Sequence, residues 1–224
     1  MRYFVIEGID TSGKSTQWNL LRKKSSHAYL IDSFLQDSMS TIPPESTVFI
    51  QEPSNTPLGN TIRDIILHKQ ILNNSRAMFL LFLAQRAELL AHCKSLPNIV
   101  ISDRSLISGI SYATDIDIEQ ALMLNLFATH NILPQKIVFL ELSLEALQQR
   151  LTQKNTSNTQ QQIDNIESKG AAYLYQIQRR LKETLKIITH YAQNNQRQIE
   201  ICSLDATEPQ NILHEEISNF FKIY

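Results

Sequence analysis

Glycine and cysteine are both scarce in this chain of 224 residues, which holds five of the first and two of the second. The cysteines, Cys93 and Cys202, stand far apart and form no C-x-x-C pair. That spacing speaks for a reducing compartment and for small buried side chains rather than a disulfide. Histidine is just as dispersed: positions 27, 68, 92, 130, 190 and 214 show no paired ligand spacing, which argues against a structural metal site. Long hydrophobic runs are missing, the most continuous being AMFLLFLA at 77–84, far too short to cross a bilayer. The N-terminus runs straight into strand-like sequence without a signal-peptide pattern, so the expected location is the cytoplasm, away from any membrane. Excess positive charge is lacking too, and a formal net charge of −1 gives no basic face for nucleic acid.

What remains is an ordinary globular composition, 42% apolar and 19% charged, enough for one α/β domain over 1–224 with a sizeable core. Strand-like runs at 3–7, 28–31, 47–50, 98–102, 136–142 and 198–204 alternate with helical spacing. The helices are expected over 14–24, 58–69, 75–94, from 105 onward, 118–130 with Pro134 as the stop, 143–151 with Ser143 as N-cap, to about 193, and to 221. KNTSNTQQQ at 154–162 is polar and low in complexity, hence expected as a mobile loop. Such βαβα order predicts a mainly parallel sheet flanked by helices, whose ligands gather at the carboxyl ends of the strands.

The informative motifs do follow strands. GIDTSGKST at 8–16 has the form G-x-x-x-x-G-K-[ST], with a strand before it and a helix after it. Gly8 and Gly13 allow the turn, and the backbone from Ile9 through Thr11, Ser12 and Thr16 cradles the phosphates of a nucleoside triphosphate. Lys14 adds charge at the β- and γ-phosphates, and Ser15 a hydroxyl for Mg²⁺, the metal expected to arrive with the nucleotide. Asp10 is an acid inside a loop built for anions, and so needs a partner beyond it.

IVISDR at 99–104 ends a strand on Asp103 and Arg104. Asp103 reads either as a Mg²⁺-holding carboxylate or as the N-cap of the next helix, and Arg104, suited to a second phosphate group, favours the first. In FLLFLAQRAE at 79–88, Phe82 and Arg86 share a helix face, as a base-stacking ring and a clamping cation would. The same spacing equally describes a core phenylalanine and a surface arginine, the commoner arrangement. QEPSNTPLG at 51–59 is a rigid loop at the same edge. The polar stretch 148–169, with Arg150, Lys154, Asp164, Glu167 and Lys169, has the length of a lid.

In this order the motifs resemble the thymidylate kinases of the nucleoside monophosphate kinase group, in their bacterial form. The family pattern E-G-x-D-G-A-G-K-[ST]-T, R-E-P-G-G-T, F-x-x-x-R, D-R, a lid and a late D-A becomes here EGIDTSGKST, QEPSNT, FLAQR, SDRS, QKN…DNIES and LDAT. The resemblance implies a three-layer P-loop NTPase fold with a mainly parallel five-stranded sheet and a mobile lid over about 152–168. It implies ATP-dependent phosphorylation of dTMP to dTDP with Mg²⁺, by a homodimer. Asp10 would face the acceptor, with Lys14, Arg104 and Asp103 completing the catalytic set and Ser15 and Asp103 holding the metal. Glu52, Pro53, Phe82, Arg86, Arg104, Ser108 and Tyr112 would bind dTMP, while Arg150, Ala206 and Thr207 would join the phosphate loop around ATP.

Some positions depart from the pattern. Gln51 replaces the arginine before Glu-Pro, Ser54–Asn55 replace Gly-Gly, and Asn165 sits in the lid's DNIE. Thr11 leaves the phosphate loop without an arginine, and none lies between Lys154 and Lys169, so Lys14, Mg²⁺ and Arg104 must meet the charge on the transferred group. The stretch 27–46 is longer than in the family and carries no assigned role. Another monophosphate kinase, a deoxynucleoside kinase, or a nucleotide-binding switch with little turnover are the competing expectations.

Overall fold

Short runs of β-branched and aromatic residues, buried on both faces, build one parallel sheet. The computed structural model describes residues 1–31, 42–54, 56–67, 74–157 and 170–223. Its strands are β1 (Arg2–Gly8), β2 (Ala28–Leu30), β3 (Thr47–Gln51), β4 (Ile99–Asp103), β5 (Lys136–Glu141) and β6 (Glu200–Asp205). They pair in parallel in the order β2-β3-β4-β1-β5-β6. The sheet therefore has six strands where the resemblance implies five, the strand-like run at 28–31 supplying β2 at the edge beside β3. Val5, Ile6, Val48, Phe49, Ile50, Val100, Ile101, Ile137, Val138 and Leu140 are all fully buried. Each such side chain contributes about 1.5–3 kcal/mol relative to exposure.

The helices are α1 (Lys14–Lys24), α2 (Pro57–Leu67), α3 (Ser75–Cys93), α4 (Leu106–Tyr112), α5 (Ile118–Ala128), α6 (Leu144–Ser157), α7 (Gly170–Asn194) and α8 (Gln210–Phe221). They fall into two packing groups: α1 with α8, and α3, α4 and α5 with α7, to which α2 adds on α3 and α6 on α7. Trp18 fastens α1 to the sheet, its Nε1 donating to the Ile101 carbonyl at 3.2 Å while its ring meets Phe49 edge-on.

Two helix ends differ from the sequence expectation. α5 stops at Ala128, well before Pro134, because His130 and Asn131 turn left-handed and the Asn131 N–H closes onto the Leu126 carbonyl at 2.8 Å. α6 continues to Ser157, into the stretch expected as loop: nothing there breaks a helix, since its lysine, asparagine, threonine and serine bring neither glycine nor proline. Cys93 is buried and Cys202 half-buried, both as free thiols, and burial together with the nearby Glu52 pushes the Cys93 thiol up to about 12. Among the described residues no helix is long and apolar enough to cross a membrane.

Candidate active site

The candidate site gathers at the carboxyl ends of β1, β3, β4 and β6, and begins with a turn that only glycine can make. Gly8 has φ 151°, and a Cβ on it would lie 2.7 Å from both the Leu140 carbonyl oxygen of β5 and Ser12 Oγ. Thr11 (φ 67°) and Gly13 (φ 96°) continue the turn in the left-handed region, with Gly13 as the N-cap of α1. No side chain caps α1, and its first turn holds no acid, so its free N–H groups and positive end point into the loop's cradle. Lys14 is only 5% exposed, and its Nζ donates to the Ile9 carbonyl at 2.7 Å. Burial, and next the Arg104 charge, pull its amine down to about 8.

Register sets Ile6 and Gln51 on either side of Asp103, so β4 ends beside the loop. Ser15 Oγ donates to Asp103 Oδ2 at 2.6 Å, and Asp103 Oδ1 is buried with no hydrogen-bond partner among the described residues. The N-cap of α4 is not Asp103 but Ser105, whose Oγ accepts from Ile107 N at 3.2 Å. This overturns the capping alternative: two residues of extended or left-handed backbone separate the strand end from the helix. A hydroxyl and a carboxylate with one spare oxygen are hard donors of the kind Mg²⁺ takes. Among the described residues no three His, Cys, Asp or Glu side chains converge, so an ion here would draw further ligands from phosphate and water.

Arg104 adopts φ 71°, which turns its guanidinium back across the loop. It forms an ion pair with Asp10, donates to Ser108 Oγ at 3.1 Å, and stands over the Tyr112 ring at 5.5 Å. Tyr112 in turn donates its hydroxyl to the other Asp10 oxygen at 2.9 Å. Burial opposes the Asp10 charge, yet Arg104, Lys14 and the Tyr112 hydroxyl together outweigh it and hold the carboxyl below its ordinary value. The acid in the phosphate loop thus orients a cation that shares the loop's opening.

Beyond β3, the chain turns through a cis Glu52–Pro53 bond. Glu52 Oε2 receives Arg86 Nε at 2.7 Å and Nη2 at 2.6 Å, and both side chains are almost wholly buried. Arg86 Nη1 also donates to Asn125 Oδ1 at 2.6 Å and Nη2 to the Ser105 carbonyl at 3.2 Å. Gly109 of α4 lies against this guanidinium, where a Cβ would approach Nη2 to 2.7 Å. Phe82, one turn earlier on α3, is half-buried and stands outside the core, while its neighbours Phe79 and Leu83 are buried. The commoner arrangement, core ring and surface cation, is therefore reversed here.

On the opposite side of the loop, Arg150 of α6 donates to the Thr11 carbonyl at 2.8 Å and also to the Ala206 carbonyl. Ala206 is buried behind β6, and Thr207 is exposed, its N–H and hydroxyl both donating to Asp205 Oδ1. Asn55, Asp164, Asn165, Glu167 and Lys169, the part of the lid from 158 onward, and positions 32–41 of the longer segment lie outside the described residues.

A family model described as thymidylate kinase matches residues 6–217, nearly the whole chain. The chain belongs to the thymidylate kinase family. Among relatives named "Thymidylate kinase", one from Campylobacter jejuni subsp. jejuni serotype O:23/36 (strain 81-176) is 36% identical over 98% of this chain and 100% of its own. Another from Aliarcobacter butzleri (strain RM4018) is 43% identical over 82% and 84%, and a third from Helicobacter pylori (strain ATCC 700392 / 26695) is 36% identical over 98% of each. In this thymidylate kinase family member, the fold draws two side chains into the site that no motif marks. Glu7 is fully buried behind Arg104, and Asn125 of α5 completes the ring around Arg86. A glutamate at the end of an apolar strand was the available signal for Glu7, while Asn125, inside an apolar helical run, gave the analogous hint.

Proposed function

We propose that this chain transfers the terminal phosphoryl group of ATP to dTMP, giving dTDP and ADP, and works as a homodimer in the cytoplasm. The observation that carries the reading is the shared opening of the phosphate loop and the Arg104–Asp10–Tyr112 cluster, which sets a donor cradle against a cation suited to an acceptor phosphate. The N–H groups from Gly8 to Thr16 and Lys14 hold the donor phosphates, with Arg150, Ala206 and Thr207 at the adenine side. Ser15 and the spare oxygen of Asp103 would hold Mg²⁺, in part through water, and the ion would supply positive charge to neutralise the phosphates. Arg104 holds the acceptor phosphate, Asp10 and Tyr112 keep that guanidinium turned toward it, and Phe82, Ser108, Glu52, Pro53 and Arg86 form the thymidine side. One acceptor oxygen attacks as the bond to ADP breaks, with no covalent enzyme intermediate, so positioning and positive charge do the catalysis.

A hydroxyl acceptor, as in a deoxynucleoside kinase, calls for a free carboxylate as base. Here Glu52 is paired with Arg86, Asp10 with Arg104 and Glu7 with two serines, and the spare oxygen of Asp103 is the one assigned to Mg²⁺, which favours an acceptor that is already ionised. With ATP and Mg²⁺, a panel of monophosphates and thymidine tests the reading. The expected result is fastest turnover of dTMP. Preference for UMP, CMP or GMP by about tenfold removes the substrate assignment, and preference for thymidine removes the acceptor class.

Phe82→Ala is expected to raise KM for dTMP by about tenfold or more, the worth of one base stacked on an aromatic ring, and to leave KM for ATP nearly unchanged. Equal effects on both would return Phe82 to a packing role. For the second copy, Leu80 on α3 and Met123 and Phe127 on α5 are exposed large apolar side chains on two helices that pack together, Phe127 being 86% exposed. Phe127→Glu should shift the sedimentation coefficient from dimer to monomer, and an unchanged dimer would place the interface elsewhere.

A further inference from the structure

Resting on that reading, we propose that Glu7 is a positioning residue for phosphoryl transfer, fixing the direction of the Ser108 hydroxyl and, through it, the guanidinium of Arg104. Glu7 sits near the end of β1 and is fully buried. Ser108 Oγ donates to its Oε2 at 2.5 Å, Ser105 Oγ to its Oε1 at 2.6 Å, and Ser108 N approaches Oε1 at 3.4 Å. Three donors around one side chain are the surroundings of a carboxylate, which only accepts.

The direction of each bond then follows from counting hydrogens. A serine hydroxyl has one hydrogen and two lone pairs, and a guanidinium has no acceptor. Arg104 Nη1, 3.1 Å from Ser108 Oγ, can only donate to it, so the single Ser108 hydrogen must go to Glu7. Ser105 obeys the same logic: its Oγ accepts from Ile107 N at 3.2 Å and gives its hydrogen to Glu7. One buried carboxylate therefore orients both hydroxyls at the start of α4. The Ser108 lone pair it exposes is one of four holds on the Arg104 guanidinium, beside the Gly8 carbonyl at 3.4 Å, the Asp10 carboxylate and the Tyr112 ring.

Glutamine has the same shape and cannot replace this. Its amide NH₂ must face one of the serines, which would then receive two donors while its own hydrogen lost its acceptor. If the amide faces Ser108, the hydroxyl hydrogen there has no acceptor and must turn away from position 7, which disturbs the lone pair offered to Arg104; if it faces Ser105, it also opposes the Ser108 N–H at the start of α4.

The test is steady-state kinetics on Glu7→Gln, Arg104→Ala and the double variant, with ATP and dTMP varied separately. The expected result is a fall of about 10- to 100-fold in kcat/KM for dTMP in Glu7→Gln, with KM for ATP changed less than about twofold. In the Arg104→Ala background the same substitution should cost less than about threefold more, because its target is gone. Additive losses in the double variant, or parallel losses toward ATP and dTMP, overturn the inference and leave Glu7 a purely structural group. Should Glu7→Gln not fold, Ser108→Ala carries the same cycle with Arg104→Ala, and additivity there overturns it equally. A wild-type protein inactive on dTMP overturns the functional reading and this inference together, whereas an active wild type with additive losses overturns this inference alone.

Discussion

Lys14→Ala is expected to lower kcat by about 10²- to 10³-fold, the usual cost of deleting a preorganised group that meets developing charge. The loop from Gly8 to Thr16 contains no other cation, since Thr11 stands where some family members place an arginine. The amine is buried and rests on the Ile9 carbonyl, a neutral acceptor and therefore a weaker partner than phosphate oxygens. Among the described residues it has no ion pair to give up to the donor phosphates. Most of the loss should appear in kcat, because charge on the transferred group is greatest in the transition state, and KM for dTMP should stay within about threefold. Circular dichroism and thermal melting serve as controls, and turnover near wild type in a folded variant refutes the assignment.

That prediction was legible in the sequence because the loop is contiguous. Directly after the strand, the glycines, lysine and serine fall within the nine positions 8–16, and the local backbone alone determines which N–H groups face the cradle. The strands were legible for a related reason, since apolar runs such as YFVIE and KIVFLEL are nearly continuous where both sheet faces are covered. What stayed hidden depends on partners far along the chain. Glu7 gains its meaning from serines 98 and 101 residues away. The Phe82–Arg86 pair shows the limit of periodicity: spacing tells that two side chains share a helix face, but not which of them the rest of the fold covers. From sequence Asp103 fits a helix cap and a metal ligand alike, and the cap turns out to be Ser105, two residues on. Helix ends in turn-poor polar sequence, such as α6 through Ser157, depend on small propensity differences that no single residue announces.

Arg86→Ala is expected to destabilise the protein by about 3–5 kcal/mol, because it strands a buried carboxylate. For a chain of this size that corresponds to a melting temperature lower by roughly 6–20 °C. Glu52 and Arg86 have side-chain exposures of 3% and 2%, and Glu52 Oε1 has no hydrogen-bond partner among the described residues. Burial already raises the Glu52 carboxyl above its ordinary value, and the Arg86 charge is the main influence opposing that rise. Without Arg86 the rise is larger, so the folded variant binds a proton more readily than its unfolded chain does. A carboxyl whose folded value is raised loses stability as pH climbs from its unfolded toward its folded value, and recovers it on acidification. The deficit of Arg86→Ala should therefore be smaller at acidic than at neutral pH, measured against wild type at each pH. A second substitution, Glu52→Gln in the Arg86→Ala background, removes the stranded charge and should restore a substantial part of the loss at neutral pH. An Arg86 that served only to contact substrate predicts the opposite pattern: an unchanged melting temperature, no pH dependence of the deficit, no rescue by Glu52→Gln, and a raised KM for dTMP as the sole effect. The Asn125 contact and the close approach of Gly109 weigh against that alternative, because they surround the guanidinium with protein on the sides away from Glu52.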